Sequence, residues 1–577
     1  MTNLNLPPSL RTAQLILQEL IAQGVRHVVL SPGSRSAPLA YAAYCAMQAG
    51  KLDVHVKIDE RSAGFFALGL AKASGVPAAV VTTSGTAVAN LHPAVLEAHH
   101  SCVPMIVLSA DRPHELRGTG ANQTTEQMGM FRAATRLAVD LPAPHAQTTD
   151  ASVLAVVTRA VAAARGLGTN HRGPVQLNCG FADPLAPTAE QLGQLQSAFT
   201  RAAPVVHTQL LRFGAHQDRI TGESAAPQIA SIESEPYTVV IAGDTAPAAA
   251  GQVARSQGWP LLAEPSSTLA NQGIAHGPLI LDHAGGLVDQ IKQVIVFGRP
   301  TLTRQIQRLM ANPAVKLVVV THSGAPFVDP SRTADAVLFG VPDRWYEARL
   351  AVEDTTWADA WVATATTVTQ VLAQLRREDD TFAPQTIAQH LADSVGQVNL
   401  LMIGSSSVIR DLDLYATWPG PAQIYANRGL AGIDGTISTA LGIATAVRRP
   451  MRAIMGDLTF LHDVGGLLNA GQDQGVNLDI IVVNDGGGAI FAGLEHGRAG
   501  NPALFEQMFT TPHTADIEKL CAGYGVAHVI CEPQDLPVLL SSEPTGLRVI
   551  EVPLTPADRS VAATRLGGEI AKLFATR

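Results

Sequence analysis

Cysteine is scarce in this chain: five residues in 577, scattered, odd in number and without a CxxC pair. That argues against a disulfide framework and fits buried or incidental thiols in a reducing compartment. Aromatic residues make up only 5% and charged residues 15%, against 46% hydrophobic, the profile of an Ala- and Val-rich globular protein. Positive charge is short as well. The formal charge is −9 and no basic stretch stands out, which argues against nonspecific nucleic-acid binding. No apolar run reaches the roughly 20 residues that a membrane span needs. Residues 1–10 carry two prolines and no basic segment, unlike a signal peptide, so a cytoplasmic location is expected. Several catalytic signatures are missing too: HExxH, the Walker loop and the GxSxG elbow. Ser84-Gly85-Thr86 has no matched His and acid, and reads as a strand-to-helix turn rather than a nucleophile. His99-His100 lacks metal-ligand spacing.

A chain of this length exceeds one core and suggests three or four domains. Residues 10–185 alternate strand and helix patterns. A helix is expected over 12–22, with Leu15, Ile16, Leu20 and Ile21 on one face, and strands over 25–30, 78–82 and 105–109. Alternation of this kind implies a parallel, doubly wound sheet. Residues 191–236 are polar, bear Pro and Ser, and read as a linker. Further strands are expected at 239–242, 294–297 and 317–320, where Gly243 and Gly298 form no dinucleotide fingerprint. Residues 357–375 read as a connecting helix. The expected fold class is α/β, with doubly wound parallel-sheet domains at 1–186, 237–345 and 384–577. A linker at 187–236 and a helical connection at 346–383 would separate them.

The third of these holds the most telling pattern. Met455-Gly456-Asp457-Leu458-Thr459 and Val483-Asn484-Asp485-Gly486-Gly487 each close a β-branched apolar run, and the two Asp are 28 positions apart (457 to 485). That leaves room for one crossover helix, since a βαβ unit takes about 30 residues. Two carboxylates at the carboxyl ends of adjacent parallel strands stand where open α/β sheets bind ligands. Such hard oxygen donors suit Mg²⁺ (or Mn²⁺), which takes further oxygens from water and a phosphorylated ligand. The glycines at 486–488 let the backbone approach a diphosphate and turn a carbonyl toward the metal. Either Asp alone is better explained as a helix cap. Together they favour a metal-diphosphate site.

The pair resembles the thiamine diphosphate (ThDP) signature, a Gly-Asp turn followed by an Asn/Asp-Asn turn. Ser31-Pro32-Gly33-Ser34-Arg35-Ser36, Asp59-Glu60-Arg61-Ser62, Thr83-Ser84-Gly85-Thr86, Ala110-Asp111-Arg112-Pro113 and Gly120-Ala121-Asn122-Gln123 occur in that order. They are similar to the N-terminal half of the 2-succinyl-5-enolpyruvyl-6-hydroxy-3-cyclohexene-1-carboxylate synthases of menaquinone biosynthesis, ThDP-dependent enzymes. Asn427-Arg428-Gly429-Leu430-Ala431-Gly432-Ile433-Asp434-Gly435 resembles their other half. The resemblance covers nearly the whole chain and is weakest at about 186–345.

The resemblance implies a fold of the ThDP-dependent decarboxylase and carboligase type: a pyrimidine-binding domain at 1–186, a central domain and a diphosphate-binding domain at 384–577. It implies that Glu60 is the catalytic carboxyl that hydrogen-bonds N1′ of the ThDP aminopyrimidine. Considered alone, Glu60 would only stabilise a helix N-terminus. Cofactor contacts are implied at Glu60, Ser84, Gly85, Ile433, Asp457, Leu458, Asp485, Gly487 and Ile490. The metal would take Asp457, Asp485 and Gly487. Ile433 would pack beneath the ThDP rings, and Ile490 and Phe491 would line the apolar side or simply fill the core.

Arg35, Arg112, Arg304, Arg410 and Arg428 stand on expected strand-end loops. One such Arg is ordinarily a surface ion pair, but several in a net-acidic chain suggest polyanionic substrates. The resemblance implies the carboxylates of isochorismate and 2-oxoglutarate, with Ser34, Gln123 and Ser406 as neighbours and Arg410 and Arg428 on 2-oxoglutarate. The chain departs from the family in places. Gly486 stands where many relatives carry a second Asn, Asp485 replaces Asn, and Arg304 matches a family Lys position.

The implied activity is that of a ThDP-dependent transferase. It would decarboxylate 2-oxoglutarate and add the succinyl carbanion equivalent to isochorismate in a 1,4 sense, in a homodimer or homotetramer with active sites at the subunit interface. Two alternatives stand beside it. An acetolactate-synthase-type carboligase or decarboxylase is disfavoured by the arginine set. A catalytically silent ThDP-binding sensor is disfavoured by the presence of Glu60, Asp457 and Asp485.

Overall fold

Strands form where β-branched and apolar residues run together. Val28-Val29-Leu30, Ala79-Val80-Val81 and Ile106-Val107-Leu108 are buried throughout, as central parallel strands under helices must be. The computed structural model describes residues 6–145, 147–200, 208–210, 231–232, 234–321, 324, 326–347, 356–378, 382–468, 476–498 and 500–575. These fall into two compact units: Met1–Phe213 with Gly429–Arg449 and Leu461–Asn477, and Gly214–Arg428 with Pro450–Phe460 and Leu478–Arg577.

The first unit is built on six strands: β1 (His27–Leu30), β2 (Asp53–Val56), β3 (Ala78–Thr82), β4 (Met105–Asp111), β5 (Leu137–Leu141) and β6 (Pro174–Gly180). Their order is β2-β1-β3-β4-β6-β5, and every ladder is parallel. The expected strand at 25–30 begins two residues late. Gly24 and Val25 are drawn into the helix end, donating to Ile21 O at 3.0 Å and Leu20 O at 2.9 Å.

The helix Glu60–Ser74 opens on an Asp59 cap and stops at Gly75, whose φ of +68° suits a helix C-terminus. It packs against the helix Thr436–Val447 at unusually close range. A Cβ on Gly69 would sit 2.2 Å from Thr439 O, and one on Gly442 would sit 2.2 Å from Phe66 O. Only glycine fits at either contact.

The second unit carries two parallel sheets. One holds β7 (Thr238–Ala242), β8 (Leu261–Ala263), β9 (Gln293–Phe297), β10 (Lys316–Val320) and β11 (Ala336–Leu338), in the order β11-β10-β9-β7-β8. The other holds β12 (Leu400–Ile403), β13 (Gln423–Ala426), β14 (Met451–Gly456), β15 (Leu478–Asn484), β16 (Ala527–Ile530) and β17 (Leu547–Pro553), in the order β13-β12-β14-β15-β17-β16. One continuous apolar core runs through both, with Trp357 and Trp361 of the helix Thr356–Glu378 inside it. Three parallel sheets flanked by helices match the expected fold class.

The segment read as linker departs from expectation. It begins with a helix, Ala189–Thr200, whose Leu195 and Phe199 are buried in the core of the first unit. Apolar residues spaced four apart among glutamines were enough to bury one face. Positions 201–207, 211–230 and 233 of that segment lie outside the described residues.

Candidate functional site

In the first unit the expected residues gather at the carboxyl ends of four neighbouring strands, β2, β1, β3 and β4, around the point where strand order reverses. Glu60 follows β2. Asp59 serves as the cap, accepting from Arg61 N at 2.8 Å and Ser62 N at 3.3 Å. The Glu60 carboxylate is therefore not needed for the helix end, and it is half-buried. Ser34 and Arg35 occupy the turn after β1. Ser34 is exposed, and Arg35 donates to Phe181 O at 2.7 Å. Burial, and then Arg112, lower the Arg35 pKa, so the two guanidiniums feel each other. Arg112, after β4, donates to Asn122 O at 2.9 and 3.2 Å.

Ser84 and Gly85 turn the chain after β3, with Gly85 at a φ of +82°. Ser84 Oγ donates to Gln123 O at 2.8 Å, and Gln123 Nε2 returns a bond to Ser84 O at 3.0 Å. Reading the sequence missed Gln127. Buried, it accepts the Gly85 N–H at 2.8 Å and donates to Asn178 Oδ1 at 2.8 Å, tying this turn to β6. No motif marked it. Glu97 was missed as well: it accepts Gly429 N and Leu430 N, both at 2.8 Å, and so seats the loop that carries half-buried Ile433.

The second unit repeats the arrangement on the sheet that holds β12 to β17. Arg428 follows β13, Ser406 and Arg410 follow β12, Asp457 follows β14 and Asp485 follows β15, at the carboxyl edge of four consecutive strands. β14 and β15 pair from Met451↔Leu478 to Gly456↔Val483, which sets the two aspartates side by side, 2% and 6% exposed. Asp457 Oδ1 accepts Leu458 N at 2.7 Å. Its Oδ2 meets Nε2 of His513 at 3.0 Å, a contact that sequence reading did not foresee. Gly487 has a φ of +148°, and a Cβ there would lie 2.5 Å from Thr510 O, so only glycine fits. Ile490 lies half-buried in the short turn Ala489–Gly493 that follows.

Among the described residues no three His, Cys, Asp or Glu side chains cluster for a metal. A cation here would need a backbone carbonyl and ligand oxygens beside the two carboxylates. That donor set fits Mg²⁺ carrying a diphosphate.

The arginines of this unit converge. Arg410 Nη1 donates to Ser406 O at 2.8 Å. Burial first, then Arg428, lower its pKa, and exposed Arg304 adds to the effect. Arg428, 4% exposed, donates from Nη2 to Thr301 Oγ1 at 2.9 Å. Three cations held together in a partly dry place have the chemistry to receive a carboxylate.

The comparisons agree with this geometry. Residues 10–130 match the family "Thiamine pyrophosphate enzyme, N-terminal TPP binding domain", residues 227–403 the "Middle domain of thiamine pyrophosphate", and residues 403–542 the "C-terminal TPP binding domain". Curated proteins named 2-succinyl-5-enolpyruvyl-6-hydroxy-3-cyclohexene-1-carboxylate synthase align along nearly their full lengths. The protein of Kineococcus radiotolerans is 43% identical, covering 96% of this chain and 97% of its own. That of an Arthrobacter species is 42% identical over 94% and 89%. That of Paenarthrobacter aurescens is 41% identical over 96% and 95%.

Proposed function

Because this chain belongs to the 2-succinyl-5-enolpyruvyl-6-hydroxy-3-cyclohexene-1-carboxylate synthase family of thiamine pyrophosphate enzymes, we propose that it catalyses that synthesis. It is a ThDP-dependent transferase of menaquinone biosynthesis. It decarboxylates 2-oxoglutarate and joins the remaining succinyl unit to isochorismate by 1,4-addition, releasing CO₂. One observation carries the reading: Arg428, Arg410, Asp457 and Asp485 stand at the carboxyl edge of four consecutive parallel strands. Side chains suited to anions and to a metal thus share one edge, which supports the reading.

Bound ThDP supplies the electron sink for decarboxylation. Asp457, Asp485 and the Gly487 carbonyl would hold Mg²⁺ or Mn²⁺ for the diphosphate, and Leu458 and Ile490 would contact the cofactor. Glu60 holds a proton at the aminopyrimidine ring nitrogen, and Ser84, Gly85 and Ile433 complete the cofactor contacts. Arg410 and Arg428 clamp the carboxylates of 2-oxoglutarate beside Ser406. Arg35, Arg112, Arg304, Ser34 and Gln123 serve isochorismate and the acceptor end. The rate depends largely on holding two anions in register. The chain acts as at least a homodimer with shared active sites. Among the described residues no helix is long and apolar enough to cross a membrane.

The test is CO₂ release from 2-oxoglutarate with ThDP and Mg²⁺, with and without isochorismate. Release strongly stimulated by isochorismate, with a succinylated product, supports the synthase. Release indifferent to it removes the acceptor assignment, and release from pyruvate alone favours an acetolactate-type enzyme.

A further inference from the structure

Two carboxyls in the second unit are left unused by that reading. Glu264 follows β8 and is 3% exposed, and its Oε1 accepts the N–H groups of Thr301 and Leu302, both at 2.8 Å. Asp413 lies three residues after Arg410 on the helix Ser407–Tyr415. The two acids line one cavity of about 30 Å³, with His276, Leu412 and Trp418. Each keeps one oxygen, Glu264 Oε2 and Asp413 Oδ2, away from solvent and without a hydrogen-bond partner among the described residues. Two carboxylates so placed repel, and retaining one proton between them removes most of that cost. The cavity has room for a water-sized group donating to both.

We propose that Glu264 and Asp413 are positioning residues for 2-oxoglutarate: a carboxyl pair that keeps one proton and holds a single negative charge behind Arg410 and Arg428. The proposal rests on the reading that those arginines take the oxoacid. Glu264 fixes the backbone at Thr301 and Leu302, and Arg428 donates to Thr301 at O (3.3 Å) and Oγ1 (2.9 Å), so this acid reaches the guanidinium through one residue. Arg410, Arg428 and Glu264 all act electrostatically on Asp413. Burial pushes Glu264 up to about 7 and Asp413 well above its ordinary value.

Among the described residues, other charges near the pair include Asp244, which acts on Glu264, Asp411 and Arg304, which act on Arg410, and Arg376, which acts on His276. His276 is fully engaged. Its Nδ1 bonds Leu414 O at 2.9 Å and its Nε2 meets Thr369 Oγ1 at 3.0 Å, while burial pushes it down to about 4 and keeps it neutral. One negative charge behind the arginines leaves the cluster cationic for a dianion. Loss of the shared proton at alkaline pH adds a second negative charge and weakens oxoacid binding.

The experiment follows KM for 2-oxoglutarate and kcat of the holoenzyme from pH about 6 to about 9, in wild type, Asp413→Asn and Glu264→Gln. Wild-type KM should rise by about tenfold toward alkaline pH, equivalent to one unit of linked pKa. Either amide variant can hold only one charge and should flatten that rise. Glu264→Gln keeps an oxygen for the Thr301 and Leu302 amides. A rise parallel to wild type in both variants overturns the proposal.

Thermal unfolding in the same buffers reads the shared proton without substrate. Wild type should lose Tm relative to Asp413→Asn as pH rises, and equal slopes overturn the pair. Arg410→Lys separates the two layers. If it leaves KM for 2-oxoglutarate unmoved, the oxoacid assignment falls and the positioning role falls with it, while the unfolding comparison still decides the proton.

Discussion

At the scale of single residues, Glu60 has the sharpest consequence. Asp59 caps the helix, so a Glu60→Gln variant should fold and bind ThDP as wild type does. Its kcat should drop by about 10²–10⁴, the usual worth of a positioned proton-transfer group. Cofactor titration beside steady-state turnover checks both halves, and full turnover in the variant would sink the role. Asp485 is buried at a strand end beside Asp457. Asp485→Ala should weaken Mg²⁺-dependent ThDP binding by about tenfold or more, roughly 1.4 kcal/mol. Titration at fixed Mg²⁺ reads this, and unchanged affinity would remove the metal assignment.

Asp485 was legible in sequence because it closes the apolar run of β15 with glycines after it, whereas Glu60 stood out only through the family resemblance. Glu264 also closes a strand, but β8 is three residues long and gave no comparable signal. Asp413 lies three positions after Arg410, and its burial depends on a sheet far away in sequence. His513 sits in a polar loop with nothing around it to mark it.

At the scale of elements, the glycines between the helices Glu60–Ser74 and Thr436–Val447 set how closely the two can approach. A methyl at Gly69 would have to displace backbone rather than a flexible side chain. Gly69→Ala should therefore cost about 1–3 kcal/mol as an overpacking change, even though alanine is the better helix former. Denaturant unfolding measures it, and a stabilised variant would show that the helices separate freely. The strands expected from apolar runs were read to within two residues of their bounds, β3 end for end. The helix Ala189–Thr200 was not, because three apolar residues among glutamines bury one face only against a partner that local sequence does not name. The contact between Gly69 and Gly442 is invisible for the same reason: nothing local to either glycine points at the other.

At the scale of the whole molecule, buried ionisable groups pull stability in opposite directions over one pH window. Burial raises Asp463 and Glu264 to about 7, so their stabilisation is complete below the unfolded carboxyl range and is lost as pH rises toward 7. His27 and His276 are depressed to about 4, chiefly by burial, so their contribution is present above about 6.5 and is lost as pH falls toward 4. Asp463→Asn should remove one of the falling limbs. Its Tm, relative to wild type, should climb between pH about 4 and about 7, and parallel Tm profiles would contradict the assignment.

Chain order adds a further expectation. The first unit is completed only by Gly429–Arg449 and Leu461–Asn477, so a fragment of residues 1–213 should be prone to aggregate, as solubility and light scattering would report.

The helix Thr436–Val447 also has a meaning in time. Phe65 lies against Gly435, and Phe66 against Gly442, but about 370 positions separate the two partners along the message. At about 5–20 residues per second, a ribosome leaves that apolar face uncovered for roughly 20 to 70 s. During that interval the half-made protein should suit chaperones that shield hydrophobic surface, and slow codons between the two segments would lengthen its exposure.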